Sequence, residues 1–465
     1  MIWPSPSVYN LGNSEESMIG GEVESVALLL SERSHLDDEL LRLSPLDAIA
    51  ALIAEVRQNP SNRDALFALG LCAIEVGQEN SGANILVWVT RRLIFHGRLL
   101  EGLLMVQQGL DLAPENPPLK DMLLRIHAMT LEINQGSFHP QRGVPGEAPS
   151  DAELEPDAIN ALPVKERCEL ASKFVESLII EGDPMIPLPV PLLSELKENS
   201  FVMMVRYLQY RRVEKGRCLL EEGDKRDSII IVVSGHINVS QNGQHLQKVG
   251  PGIVLGESGL LTRETRPVSA HAHEEAEYFE LTRLAVREMA RANTRIVMQL
   301  QNSFNKQIRG NILNTAPLFK LFEDFAEYML IEDFKTQHFD RDQIIIEPGE
   351  TRAPLMIVAS GTVDLLTPGP GGELVLVERD DINTTVGSLS HPCEEGVPVT
   401  ARARTRVTAL TMTPEQMDAV LGDHPRAKAY LEELSGRRFE LAKEAQAGTL
   451  EGPVDEPLEE DGWES

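Results

Sequence analysis

The chain has 465 residues, more than one hydrophobic core ordinarily serves, so several domains are expected. Its composition, 42% hydrophobic and 25% charged, is that of folded globular material rather than a disordered polymer. A net charge of −29 argues against general nucleic-acid binding, which needs clustered Lys and Arg, and no apolar run approaches the ~18 residues of a membrane span.

The start, Met1-Ile2-Trp3-Pro4-Ser5-Pro6, has no basic stretch followed by an apolar one, and a cytoplasmic location is expected. Cys72, Cys168, Cys218 and Cys393 lie far apart without CxxC spacing, which points to reduced, buried thiols rather than disulfides or zinc. Residues 22–135 read as helical. Leu46, Ile49, Ile53 and Val56 recur at helical spacing until Gln58-Asn59-Pro60 stops the pattern. An apolar, small-residue run follows over 65–73, then helices over 99–112 and 119–129, separated by Ala113-Pro114-Glu115-Asn116. Helix, short Asn or Pro break, then helix with a Leu-Gly pair resembles tetratricopeptide repeats; an ordinary helical bundle fits the pattern equally. Either arrangement offers a groove for a protein partner.

Residues 136–163, rich in Pro and Gly, read as a flexible linker. A helix is expected over 165–180, and Pro187, Pro189 and Pro191 then lead into the amphipathic Leu192-Leu193-Ser194-Glu195-Leu196. From Val205 the pattern changes to short β-branched runs, such as Ile229-Ile230-Ile231-Val232-Val233, separated by glycine turns. That pattern predicts an antiparallel barrel or jelly roll ending near Leu281, followed by a helix over 283–309. The pattern then repeats. Ile357-Val358-Ala359-Ser360-Gly361 matches Ile231-Val232-Val233-Ser234-Gly235, about 125 residues later. A last helix is expected from Thr413 to about Ala447, before an acidic tail. The fold class is therefore α+β multidomain. All-α helical hairpins (22–135) and the linker (136–163) precede two β-barrel or jelly-roll domains with flanking helices (164–310 and 311–447), and a disordered tail (448–465) closes the chain.

Chemistry concentrates in Leu255-Gly256-Glu257-Ser258-Gly259-Leu260-Leu261, closed by Arg266, Pro267 and Val268. With the upstream blocks Val213-Glu214-Lys215-Gly216, Glu222-Gly223-Asp224 and Val233-Ser234-Gly235, this run resembles the cyclic nucleotide-binding domain of bacterial regulators and kinase regulatory subunits. The resemblance implies a ribose hydroxyl on Glu257 and a cyclic phosphate on Arg266, with Gly256 and Ser258 in the phosphate turn. Burial strengthens such a charge-assisted contact, and glycine admits close backbone approach. Relatives usually carry Ala, Ser or Thr where this chain has Pro267, which has no N–H and no hydroxyl. The lost donor weakens binding by about 1–3 kcal/mol, and the lost hydroxyl favours cyclic AMP over cyclic GMP.

In the second copy Ser388 stands at the glutamate position and Val397 at the arginine position, so it reads as a structural or interaction copy. His271, His273 and Glu277 form a rival metal-like HxHxxxE pattern, without the remaining parts of a cupin site. No catalytic residue, resident metal or cofactor is expected. The whole reads as a bacterial-type, non-catalytic signalling protein in which a nucleotide in the first copy changes contacts of the helical domain. A ligand-free adaptor is the alternative.

Overall fold

Short polar residues start most helices of the N-terminal layer in the computed structural model. Ser44 accepts from the Asp47 amide ahead of α1 (Pro45–Gln58), Asn62 from Ala65 ahead of α2 (Arg63–Glu75), and Asn116 from Leu119 ahead of α5 (Pro117–Asn134). Each cap satisfies an amide that the first helical turn leaves unpaired, and proline at the first turn of α1 and α5 loses no helical hydrogen bond. Between them run α3 (Glu79–Phe95) and α4 (Leu99–Leu112). The structure describes residues 40–450, apart from 41, 225–227, 242, 257–265, 267, 293–294, 297, 301, 304–311, 313–315, 322–333, 351–352, 382 and 388–398. They fall into two units, Met1–Leu300 and Gln301–Ser465.

In the first unit consecutive helices pack as neighbours, α1 on α2, α2 on α3, α3 on α4 and α4 on α5. Small residues set the closest crossing: a Cβ on Gly70 would lie 2.6 Å from Leu86 Cδ2, and one on Gly82 would overlap the Gly70 carbonyl. The part of the expected helical region over 22–39 lies outside the described residues. The segment expected as a flexible linker instead buries Phe138, Leu154 and Ile159 and carries α6 (Pro156–Ala161). Arg57 of α1 donates to the Leu154 carbonyl and the Asp151 carboxylate, both at 3.2 Å. Its turn-rich composition concealed the few apolar residues that anchor it.

After α7 (Val164–Ser177), α8 (Pro191–Ser194) and α9 (Glu198–Tyr207) come eight strands: β1 (Gln209–Val213), β2 (Cys218–Leu220), β3 (Ser228–Ser234), β4 (Ile237–Gln241), β5 (Gln244–Val249), β6 (Val254–Leu255), β7 (Ser269–Ala272) and β8 (Ala276–Thr282). They form two antiparallel four-stranded sheets, ordered β1-β8-β3-β6 and β2-β7-β4-β5. Among the described residues this is a sandwich rather than the closed barrel also expected. Ile230, Val232, Ile237, Val239 and Ala270 fill the space between the sheets. Alternation puts Ile229, Ile231 and Val233 on the outer face of β3, where α4 packs. Burial on both faces explains the unbroken apolar run in place of a period of two. Gln107 of α4 adds a polar tie, its Nε2 donating to the Val205 and Leu208 carbonyls at 2.6 and 2.7 Å. The unit continues into α10 (Arg283–Ala292), which opens the helix expected over 283–309; residues 304–309 lie outside the described residues.

The second unit repeats the plan. Its strands are β9 (Lys335–Phe339), β10 (Ile344–Ile346), β11 (Leu355–Ser360), β12 (Val363–Pro368), β13 (Leu374–Asp380), β14 (Thr385–Val386), β15 (Thr400–Ala403) and β16 (Val407–Met412). Their sheet orders, β9-β16-β11-β14 and β10-β15-β12-β13, reproduce those of the first unit strand for strand. Here the outer faces of β11 and β16 are covered by a 3₁₀ turn (Phe319–Leu321), α11 (Pro414–Asp423) and α12 (Pro425–Ala447), through Phe319, Met417, Leu421 and Leu431. The single terminal helix expected after Thr413 is broken at His424-Pro425, because Pro425 cannot donate to the preceding turn. The tail beyond residue 450 lies outside the described residues.

Candidate functional site

Arg266 enters the first sandwich just before β7 and is 2% exposed. Its backbone is clamped to the preceding turn: the Arg266 amide donates to the Asp224 carbonyl and the Gly223 amide to the Arg266 carbonyl, each at 2.9 Å. The guanidinium lies over the turn that follows β6. Nη2 donates to the Ser228 carbonyl at 2.6 Å and approaches Ser228 Oγ at 3.4 Å, and Nη1 donates to the Gly256 carbonyl at 3.3 Å. Gly256 has φ +86°, and a Cβ there would overlap Arg266 Nη1. Only glycine gives both the left-handed turn and room for the guanidinium. Val268 packs half-buried against the sandwich core.

Gly256 and Arg266, both expected to bind the ligand, are thus spatial neighbours. Glu257, Ser258 and Pro267 lie outside the described residues, as do Ser388 and Val397 of the second copy. Gly387, the counterpart of Gly256, keeps the turn at φ +91°, but a Cβ there would overlap the Pro354 carbonyl rather than a guanidinium. Donors of the Arg266 type, fixed beside a glycine turn, suit a phosphate because a planar guanidinium matches two phosphate oxygens.

Sequence reading missed a second buried polar centre. Glu277, on the outer face of β8 and 4% exposed, accepts from Arg63 Nη1 at 2.7 Å and Nη2 at 2.9 Å. Tyr210 Oη and Ser234 Oγ each donate to the same carboxylate at 2.7 Å. Arg63 opens α2, so this pair bolts the helical layer onto the sandwich across a sequence separation of 214 residues. Arg63 Nη1 also donates to Glu101 at 2.6 Å, and Arg98 Nε donates to Glu101 at 2.5 Å. Burial would push the Glu277 carboxyl up, but the Arg63 guanidinium and the Ser234 and Tyr210 hydroxyls outweigh it and hold it at about 2. Burial and the adjacent Glu277 carboxylate push the Tyr210 hydroxyl well above its usual range.

The metal-like histidine pattern therefore does not use Glu277, which Arg63 occupies. His273 Nδ1 instead meets Asn238 Nδ2 at 3.2 Å, and among the described residues no group of three His, Cys, Asp or Glu side chains converges as metal ligands do. Burial pushes the Cys72 thiol up to about 12 and the Cys168 thiol up to about 11, so both stay protonated. Cys218, expected to be buried, is exposed on β2. Among the described residues no helix is long and apolar enough to cross a membrane.

Residues 210–293 match the family model for the cyclic nucleotide-binding domain, spanning β1 to the start of the helix after β8. The chain carries one such domain there. It is 24% identical over 220 residues to a cAMP-dependent protein kinase regulatory subunit of Eremothecium gossypii, covering 47% of this chain and 46% of that one. It is also 25% identical over 171 residues to the cGMP-dependent protein kinase egl-4 of Caenorhabditis elegans, covering 37% of this chain and 21% of that one. The match to the Eremothecium protein thus spans about half of that relative's length. Among solved structures, the regulatory subunit of a cAMP-independent protein kinase A from Trypanosoma cruzi, bound to guanosine, is 18% identical with a TM-score of 0.27. That match covers 56% of this chain and 90% of that one. The N-terminal helical layer lies outside the family match, and its tetratricopeptide-like character rests on the sequence pattern alone.

Proposed function

We propose that the chain is a non-catalytic regulatory protein that binds a cyclic nucleotide in its first sandwich. The observation that carries this reading is the buried Arg266 guanidinium lying over Gly256, inside the segment that matches the nucleotide-binding family. The cyclic phosphate is assigned to Arg266 and the Gly256 turn, and the ribose hydroxyl to Glu257. Cyclic AMP is favoured over cyclic GMP because Pro267 offers no hydroxyl to a guanine. The relatives include kinases of both nucleotide types, so the preference rests on Pro267 alone.

The readout assigned to the nucleotide runs along β8. Glu277 near one end of that strand holds the helical layer through Arg63, and α10 follows directly from the other end. A ligand shifts such a junction only by its differential affinity for the two arrangements, so binding must change the strength of the Arg63–Glu277 pair if it is the relay. The helical layer is the surface assigned to a protein partner.

One observation favours an adaptor without ligand: Arg266 already donates to two backbone carbonyls of its own sandwich. Calorimetric titration of the full chain with cyclic AMP and cyclic GMP separates the readings. One saturating site lost in Arg266→Ala supports the regulator; no heat with either nucleotide supports the adaptor.

A further inference from the structure

A second cationic centre lies in the helical layer, away from the nucleotide cassette. A cavity of about 150 Å³ is lined by Ser61, Arg63, Arg92, His96 and Arg98 over an apolar floor from α2 and α3. Its described lining contains three guanidiniums, an imidazole and a hydroxyl, and no carboxylate. In a chain of net charge −29, a cavity walled only by cations and neutral groups stands apart.

The cations are not equivalent. Arg63 is engaged by Glu277 and Glu101, and Arg98 gives Nε and Nη2 to Glu101 while its side chain stays 46% exposed. Arg92 differs: its described hydrogen bonds end on neutral oxygens, the Pro60 carbonyl from Nη1 and the Ser61 hydroxyl from Nη2 at 3.1 Å. Burial and the neighbouring Arg98 lower its pKa, with Glu181 opposing them. The His96 ring shares the positive field: burial, then Arg92, Arg98 and Arg142, hold its pKa below the usual histidine range. The guanidinium of Arg92 and the imidazole of His96 thus line one cavity, each held below its usual range by burial and neighbouring positive charge.

We propose that this cavity binds a phosphate-sized dianion, held by Arg92, His96 and Arg98 with the Ser61 hydroxyl as a further donor. Guanidiniums and an imidazole supply directed N–H donors, and the apolar floor limits competition from water. The dianion is either free phosphate or a phosphorylated side chain, since both present the same oxygens.

The test is calorimetric titration of the full chain at low salt with inorganic phosphate and with O-phosphoserine. One saturable site is expected, weakened at least tenfold by Arg92→Gln and by Arg98→Gln. It is expected to be unchanged in Arg125→Gln, whose exposed pair with Asp121 lies elsewhere on the layer. Binding must also persist in Arg266→Ala, which separates this cavity from the nucleotide cassette. Should Arg92→Gln unfold the Pro60-Ser61 turn, Arg98→Gln, which does not hold that turn, carries the test. O-phosphoserine binding at least tenfold more tightly identifies a phosphorylated side chain as the source, and the reverse order identifies free phosphate. No saturable binding of either probe to the wild type, or binding unaffected by Arg98→Gln, overturns the proposal.

Discussion

The two sandwiches have the same strand order but bury different arginines, and that contrast sets the proposed nucleotide site against a brace. In the first, Arg266 comes from the loop before β7, and its described hydrogen bonds reach the Ser228 and Gly256 carbonyls and approach a hydroxyl. In the second, the buried arginine is Arg438 of α12, 1% exposed. It gives Nη2 to both Asp380 oxygens at 2.6 and 2.7 Å, Nε to Glu378 at 2.5 Å and Nη1 to the Thr385 carbonyl at 2.6 Å. Carboxylates saturate that guanidinium, so it fastens its helix to the sandwich and has no capacity left for an anion. The described hydrogen bonds of Arg266 end instead on neutral oxygens. The outer sheets differ in the same sense. N-terminal helices cover the first and the C-terminal helices the second, each joined to its sheet by a buried ion pair.

Removing Arg438 tests the brace and has the largest expected effect. Arg438→Ala leaves Asp380 without its partner, and because burial already raises that carboxyl to about 7 it then takes up a proton; stability should fall by about 3 kcal/mol, read by denaturant unfolding, while nucleotide affinity stays unchanged. A loss of nucleotide binding there would break the contrast. Arg63→Ala strands Glu277 and should cost about 3 kcal/mol in the first unit. A double-mutant cycle with Glu277→Gln should return a coupling of at least 1 kcal/mol, and additive effects would remove the bolt.

The Glu277 carboxyl also fixes a pH window. Its folded-state pKa, about 2, lies below the ordinary carboxylate value, so the stability it contributes is full above about 4.5 and disappears as pH falls toward 2. Wild type should be more stable than Glu277→Gln at pH 7, by on the order of 3 kcal/mol, and the lead should shrink through that window. A lead that stays constant from pH 7 to pH 2.5 would show that the pair is not ionised. A smaller effect is expected at Pro267. If the missing amide is the defect, Pro267→Ala should tighten nucleotide binding about tenfold; unchanged affinity would place the weakness elsewhere.

Much of the architecture was legible because its signals are local. Asn59-Pro60 and Pro114 ended helices where expected, β-branched runs bounded by glycine became strands, and Gly256 and Arg266 met at a short sequence offset. The ion pairs were not legible, since nothing local to Glu277 indicates an arginine 214 residues away. Glu277 stands in sequence with His271 and His273 in a metal-like pattern, but the fold gives its carboxylate to Arg63. Apolar anchors such as Phe138 and Ile159 were lost among prolines and glycines, and the break at His424-Pro425 was passed over because the apolar pattern continues on both sides. Sequence period reports which face a residue takes, and only tertiary packing reports what stands opposite it.

The most direct measurement of the central claim is cyclic AMP titration of the full chain, wild type against Arg266→Ala, followed by calorimetry with folding verified by circular dichroism. The account predicts one site per chain in the wild type and at least a hundredfold loss in a folded Arg266→Ala, because a buried charge-assisted phosphate contact is removed. Two sites per chain, or binding that survives Arg266→Ala, would contradict it.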